Sequence, residues 1–220
     1  MFDLSKYHIR DLSLSYEKRI AGYDYDIART IAKNGWNARM LHIYSHAGTH
    51  MDAPSHFEVA DTTIDQFSPH QLMGKAHLVH IPIKASRQLL KIDDLGAVVH
   101  QFEAGDSLLL RTDWSQFLGQ QKYRDELPRI SEELAQWCVE KQVKMLGVEP
   151  PSVADVNDLE EVTRIHHILL KGEVIIVEGL THLDKIQQKQ VFLIALPLKI
   201  KQGDGAPARV IAFEKKQNEI

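Results

Sequence analysis

The sequence predicts a mixed α/β fold in which a curved sheet or small barrel carries few helices. Apolar or alternating segments typical of strands outnumber the segments with helical spacing. The chain contains no internal repeat or low-complexity linker, so residues 1–220 are expected to form a single domain. Residues 15–37 are predicted to be irregular or a hairpin. The predicted strands lie within 7–14 and at 38–44, 75–83, 107–111, 143–148, 174–177, 191–198 and 209–213.

Three segments are predicted to be helical. Residues 92–102 carry apolar side chains at helical spacing. Ser131 is expected to cap a second helix, because Glu132 and Glu133 follow it where the helix dipole favours negative charge. The third helix spans residues 159–170. Its apolar face is predicted to comprise Leu159, Val162, Leu169 and Leu170.

The composition limits the classes of function. Hydrophobic residues make up 44% of the chain, enough for a sizeable core, and the net charge of −4 provides no general basic surface for nucleic acid. No apolar run approaches the roughly 20 residues that span a membrane. The N-terminus lacks a basic region followed by an apolar run, so no signal peptide is predicted and a cytoplasmic location is expected. The single cysteine, Cys138, fits a reducing compartment and is predicted to be buried beside Trp137.

Three histidines and one aspartate lie close together in residues 46–56. Imidazole nitrogen and carboxylate oxygen suit Zn²⁺, Mn²⁺ or Fe²⁺, and the absence of a thiol argues against a closed structural zinc site. Glycine and proline disfavour a helix here. In an extended segment, His46, His50 and Asp52 point to one side, so the spacing predicts that they surround one point. His56 follows just beyond.

Two later residues are weaker candidates when taken alone. His166 falls on the apolar face of the third helix, because it lies four residues after Val162 and three before Leu169, whereas His167 is rotated by about 100°. A histidine on such a face is more often a satisfied core residue than a ligand. Glu178 ends an apolar strand, where a carboxylate is as often a solvated end residue.

The stretch His-x-Gly-Thr-His-x-Asp-x-Pro-x-His-Phe at residues 46–57 resembles the cyclase family of metal-dependent hydrolases, which includes bacterial kynurenine formamidases and isatin hydrolases. The resemblance implies a swivelling β/β/α fold and a homodimer or higher oligomer. It also implies one or two divalent metal ions per chain, with zinc favoured over manganese or iron. Residues 203–212 resemble the closing segment of that family, although a plain hairpin turn is the simpler interpretation.

The resemblance also implies roles for individual residues. His46 and His50 would bind one metal, Asp52 would bridge two, and His56 would donate and accept the proton. In the family a histidine and a glutamate twelve residues later complete the metal site. His166 and Glu178 have that separation, and His167 does not.

The resemblance weakens in two segments. Ile20 stands where kynurenine formamidases carry a tryptophan that contacts the substrate ring, and Ala21 stands where they carry proline. Glu149 and Ala154 replace two aspartates that family members often carry after the corresponding strand. The substrate-binding residues are therefore not assigned. The leading function is hydrolysis of a small amide, namely an arylformamide such as N-formylkynurenine. The alternatives are the opening of a cyclic amide or lactone, as in isatin hydrolases, and a non-catalytic protein with a metal site.

Overall fold

The structure is a computed structural model that describes residues 3–216. Within that range the chain forms twelve strands and five α-helices. The strands are β1 (Tyr7–Asp11), β2 (Tyr23–Arg29), β3 (Ala38–Ile43), β4 (His50–Asp52), β5 (Met73–His80), β6 (Leu89–Leu90), β7 (Ser107–Arg111), β8 (Arg129–Ile130), β9 (Met145–Val148), β10 (Ile175–Glu178), β11 (Gln190–Pro197) and β12 (Gly205–Lys215). The helices are α1 (Ile31–Asn34), α2 (Val98–Gln101), α3 (Lys122–Asp125), α4 (Glu132–Glu140) and α5 (Leu159–Lys171).

Seven strands close into a ring. The main sheet runs in the order β1-β12-β11-β5-β7-β9-β10-β4, and β12 also pairs with β4. The pairs β5–β7, β7–β9 and β9–β10 are parallel, and the remaining pairs are antiparallel. Closure removes the free edges that an open sheet would leave. The prediction of a mixed α/β fold built on a small barrel with few helices is confirmed.

The apolar side chains form two layers of core on the two faces of the sheet. Leu108 and Leu110 of β7 belong to the cluster that includes α4 and α5, whereas Leu109 belongs to the cluster that includes Met51 of β4. Successive residues of a strand point to opposite faces, so a strand covered on both faces is apolar throughout. This explains why β7 reads as a continuous apolar run.

Helix α4 begins as predicted, because Ser131 Oγ accepts a hydrogen bond from the Leu134 N–H at 3.2 Å. The placement of Leu159 on the buried face of α5 is wrong. Leu159 is 78% exposed at the first position of α5, directly after the capping residue Asp158. Ile165 is buried instead.

The prediction of one helix over 92–102 is also wrong. A 3₁₀ turn at Ile92–Leu95 and the short α2 replace it. Gly96 separates them with a φ of 54°, which is incompatible with a continuous right-handed helix. Residues 15–37 include the first strand of a β2–β3 hairpin, so the hairpin alternative is confirmed. Among the helices of residues 3–216, none combines the length and apolar composition that crossing a bilayer requires.

Candidate metal centre

The histidine-rich stretch supplies the strand that closes the ring. His50, Met51 and Asp52 form β4, which pairs with both β10 and β12. The side chain of Met51 joins the apolar core, so His50 and Asp52 point to the opposite face. Pro54–Phe57 then forms a 3₁₀ turn that carries His56.

Two further elements bring side chains to the same point. Glu178 is the last residue of β10 and stands directly opposite His50 in the strand register. His166 lies on the inner face of α5, where its Nδ1 donates to the Val162 carbonyl oxygen at 2.7 Å. This hydrogen bond leaves Nε2 of His166 directed at the carboxylates.

Four buried side chains converge there. Nε2 of His50 lies 3.1 Å from Glu178 Oε2 and 3.6 Å from Asp52 Oδ1. Nε2 of His166 lies 3.6 Å from both Asp52 Oδ2 and Glu178 Oε1. Nδ1 of His50 donates to the Gly48 carbonyl oxygen at 3.0 Å. In both histidines the nitrogen facing the carboxylates is therefore the one not used by the backbone.

The donor set fits a divalent cation. His50 Nε2 and Asp52 Oδ2 are buried and have no hydrogen-bond partner among the described residues. Buried polar atoms are normally paired, so two such atoms beside each other need an explanation. His50, Asp52 and Glu178 are close enough to share one ion. Imidazole and carboxylate ligands without a thiol suit zinc, manganese or iron.

His46 links this buried cluster to Asp204, a more exposed carboxylate. Its Nδ1 lies 2.8 Å from Asp52 Oδ1, and its Nε2 lies 3.1 Å from Asp204 Oδ2. Burial opposes protonation of His46, but the hydrogen bonds and charges of the two carboxylates outweigh it and raise its pKa to about 9. Burial likewise opposes ionisation of Asp52, but the bond from His46 and the nearby histidines hold its pKa below the usual value.

His56 stacks on His46 with ring centroids 3.8 Å apart. Its side chain is 24% exposed, and its Nδ1 lies 3.7 Å from Asp204 Oδ2. Burial lowers the pKa of His56, and the charges of His46 and His166 add to this effect against the opposing carboxylates. His46, Asp52 and His56 form a second group that could hold an ion. All six predicted site residues therefore lie around one site.

Side chain–backbone hydrogen bonds and one close backbone approach join the segment that carries His50 to the segment that carries Glu178. Thr49 is fully buried; its Oγ1 donates to the Gly179 carbonyl oxygen at 2.6 Å and accepts from the Leu14 N–H at 2.8 Å. Gly179 has a φ of 66°, and a Cβ there would collide with the Gly48 carbonyl oxygen. Glu178 Oε1 accepts a hydrogen bond from the Val153 N–H at 2.7 Å.

The site opens into a cavity of about 710 Å³. His46, His50, His56, His166 and Glu178 line it. The cavity wall also includes Ile20 and Ala21, two of the positions where the sequence departs from kynurenine formamidases. Glu149 lies elsewhere: it is buried, and its carboxylate accepts hydrogen bonds from the backbone N–H groups of Thr112 and Trp114.

Sequence analysis did not assign Asp204 or Thr49 to the site. Asp204 lies between β11 and β12, in the Gly-Asp-Gly segment whose last residue, Gly205, begins β12. Pairing of β12 with β4 carries this segment beside the histidines, because Gly205 is opposite Asp52. The family's closing segment was therefore a usable signal for Asp204, and the hairpin interpretation also holds because β11 pairs with β12.

Comparisons with known proteins agree with this geometry. The sequence profile of the family described as "Putative cyclase" matches residues 10–155. A kynurenine formamidase of Bacillus cytotoxicus is 32% identical over 193 residues, which cover 86% of each chain. The chain belongs to this cyclase family.

Solved structures show the same fold. Isatin hydrolase A from Ralstonia solanacearum superimposes with a TM-score of 0.83 at 22% identity, over 96% of this chain and 93% of that one. An isatin hydrolase bound to the product analogue thioisatinate gives a TM-score of 0.88 at 19% identity, over 96% of this chain and 94% of that one.

Proposed function

We propose that this protein is a metal-dependent hydrolase that cleaves a small amide, with an arylformamide such as N-formylkynurenine as the leading substrate class. The observation that carries the proposal is the convergence of His50, Asp52, His166 and Glu178 on one buried point, where His50 Nε2 and Asp52 Oδ2 form no hydrogen bond with a described residue. The similarity to a kynurenine formamidase over most of both chains supports the reaction class.

We assign the metal to His46, His50, Asp52, His166 and Glu178, as one or two divalent ions with zinc favoured over manganese or iron. When bound, such an ion supplies a Lewis acid that acidifies water and polarises a carbonyl group. The protein fixes the ligands beforehand: Gly48 and Val162 orient the two rings through their carbonyl oxygens. Ligands held in this way need little reorganisation when the metal binds.

His56 moves the proton. With its pKa lowered by burial, its imidazole is neutral at pH 7 and can accept a proton from the attacking water. The same ring then returns the proton to the departing nitrogen, so the amine leaves as a neutral product. Asp204 Oδ2 lies 3.7 Å from Nδ1 of His56, so its charge favours the protonated ring that forms when the proton is accepted.

A cyclic amide or lactone is the second candidate substrate class. Ile20 and Ala21 line the cavity, so two of the positions that distinguish this chain from kynurenine formamidases adjoin the space a substrate would occupy. The fold shared with isatin hydrolases is compatible with such a substrate.

The test compares wild type, His56→Ala and His167→Ala on N-formylkynurenine, isatin and a small lactone, with metal content measured for each. His167 is exposed on α5 and serves as a control next to a proposed ligand. We expect His56→Ala to retain metal and lose turnover, and His167→Ala to retain both. Absence of turnover of every substrate by metal-loaded wild type would favour a non-catalytic metal protein instead.

We further propose that the enzyme acts in the cytoplasm as a homo-oligomer. Support for the location comes from the single cysteine, which is buried. Support for assembly comes from the family resemblance. Fractionation of native cells and molar-mass measurement test the two expectations separately.

A further inference from the structure

The cavity that holds the metal centre has a second, basic end. The buried side chains of His50, His166 and Glu178 form its floor, and Arg19 and Arg124 also line it. The side chains of both arginines are 57% exposed, so they lie at the mouth. The cavity volume of about 710 Å³ is typical of small-molecule sites. A molecule that fills this cavity therefore meets the metal-binding side chains at one end and guanidinium groups at the other.

The two arginines come from separate segments that pack together. Arg19 lies in the loop between β1 and β2, and Arg124 lies in α3. The stem of Arg19 runs past Gly119, because a Cβ built on that glycine would lie 3.2 Å from Arg19 Cδ. The chain turns directly after Gly119, where the Tyr123 N–H donates to the Gln120 carbonyl oxygen at 3.0 Å. The side chain of Arg19 therefore lies beside the turn that leads to Arg124.

Both guanidinium groups have N–H donors that bind nothing in the chain. Arg19 Nε donates to Glu17 Oε1 at 2.6 Å. Arg124 Nη1 donates to Asp125 Oδ1 at 3.0 Å and to Asn157 Oδ1 at 2.8 Å. Within residues 3–216, no acceptor pairs with Nη1 or Nη2 of Arg19, or with Nε or Nη2 of Arg124. A guanidinium group has no acceptor atom, so these positions bind only groups that accept hydrogen bonds.

A carboxylate fits this end of the cavity. Its two oxygens match the planar fork of an arginine, and two neighbouring cations repel each other until an anion lies between them. The carboxylates that pair with the arginines now, Glu17 and Asp125, have side chains that are 47% and 33% exposed. Ion pairs in contact with solvent contribute little. A carboxylate of a bound molecule can therefore replace either partner at small cost.

We propose that Arg19 and Arg124 bind a carboxylate of the substrate while the amide group lies at the metal centre. The apolar side chains of Ile20, Phe57 and Leu118 also line the cavity and fit an aromatic ring. The substrate class is therefore an aryl amide with an acidic group remote from the scissile bond. This inference rests on the proposed hydrolase function, because the bound molecule is the substrate of that reaction.

The first experiment measures binding and needs no turnover. The probes are an aminophenyl ketone whose short side chain ends in a carboxylate, which resembles a hydrolysis product, and the same compound with a neutral carboxamide. Calorimetric titration of the metal-loaded wild type should show about tenfold or more tighter binding of the carboxylate, the effect expected of charge-assisted hydrogen bonds. Arg19→Gln/Arg124→Gln should reduce this ratio to near one, and its metal content checks that it is folded.

Lys122→Gln is the matched control. Lys122 is also a cation of α3, but its ammonium group lies over the Phe117 ring and it does not line this cavity. It should keep the wild-type ratio, whereas a general effect of net charge would lower it as well. Equal affinity of wild type for the two probes would overturn the inference. A preference that persists in the double variant would also overturn it, because the metal would then be binding the carboxylate.

The second experiment measures turnover of the N-formyl derivatives of the same two compounds. Wild type should prefer the carboxylate, and Arg19→Gln/Arg124→Gln should raise KM for that substrate by about tenfold, because the lost contact is made equally in the ground and transition states. Turnover of both compounds without preference would overturn the carboxylate site and leave the hydrolase function intact. Turnover of neither compound would contradict the hydrolase function, while the binding ratio would still decide whether the two arginines hold a carboxylate.

Discussion

Replacement of Thr49 by valine tests whether the site is held together by the hydroxyl described above. The change keeps the shape of the side chain but removes the bond to the Gly179 carbonyl oxygen and the bond from the Leu14 N–H. A buried group left without its partner costs about 1–3 kcal/mol. Leu14 is only half-buried, so the lower part of that range applies to its N–H. Loss of the two hydrogen bonds together should lower the free energy of unfolding by about 2–4 kcal/mol.

Thr49→Ser is the matched control. It keeps the hydroxyl and removes one buried methyl group, which costs about 0.8 kcal/mol. Urea unfolding of the chelator-treated proteins measures the free energy of unfolding without a contribution from bound metal. Thr49→Val should also bind zinc more weakly, since Thr49 and Gly179 adjoin His50 and Glu178. If Thr49→Val were no less stable than Thr49→Ser, the reasoning would be refuted.

Three further outcomes are expected. His166→Ala should lose bound metal while the adjacent His167→Ala keeps it, as measured by mass spectrometry of protein purified without chelator; equal retention would remove His166 from the ligand set. Burial raises the pKa of the Glu214 carboxyl, but the bond from Arg10 and two backbone N–H groups outweigh it and leave the pKa below its ordinary value of 4.5. The ionised Glu214 carboxylate therefore stabilises the native state above pH 4.5, and this contribution is lost as the pH falls through the lowered pKa. On acidification, the free energy of unfolding of Glu214→Gln should fall less than that of wild type. Burial raises the pKa of Cys138 to about 12, so a thiol reagent at pH 8 should modify it only at the rate of unfolding, and rapid modification of the native protein would contradict this.

The sequence predicted those parts of the site that local geometry determines. His46, His50 and Asp52 could be grouped because alternate residues of an extended segment share a side. His166 could be separated from His167 because the two point in different directions from one helix. These arguments need only the spacing of residues within one element.

The parts that depend on distant pairing were not predictable in this way. β4 is three residues long, too short for a recognisable alternating pattern. Asp204 and His46 are 158 positions apart in the chain, and the pairing of β12 with β4 brings them together. Leu159 fits a helical pattern, but only the extent of the surface beneath α5 decides that its side chain is exposed.

The closing of the ring by β4 has a consequence for the order of folding. The contacts of β4 and of Thr49, which directly precedes it, join residues far apart in sequence, such as Thr49 and Gly179 at a separation of 130. Contacts of long separation carry the largest chain-closure entropy and form late. We therefore expect β4, which carries His50 and Asp52, to dock after the parallel strands β5, β7, β9 and β10 have assembled. Interactions absent from the transition state slow unfolding and leave the folding rate unchanged, so metal should prolong the lifetime of the native protein without accelerating its formation.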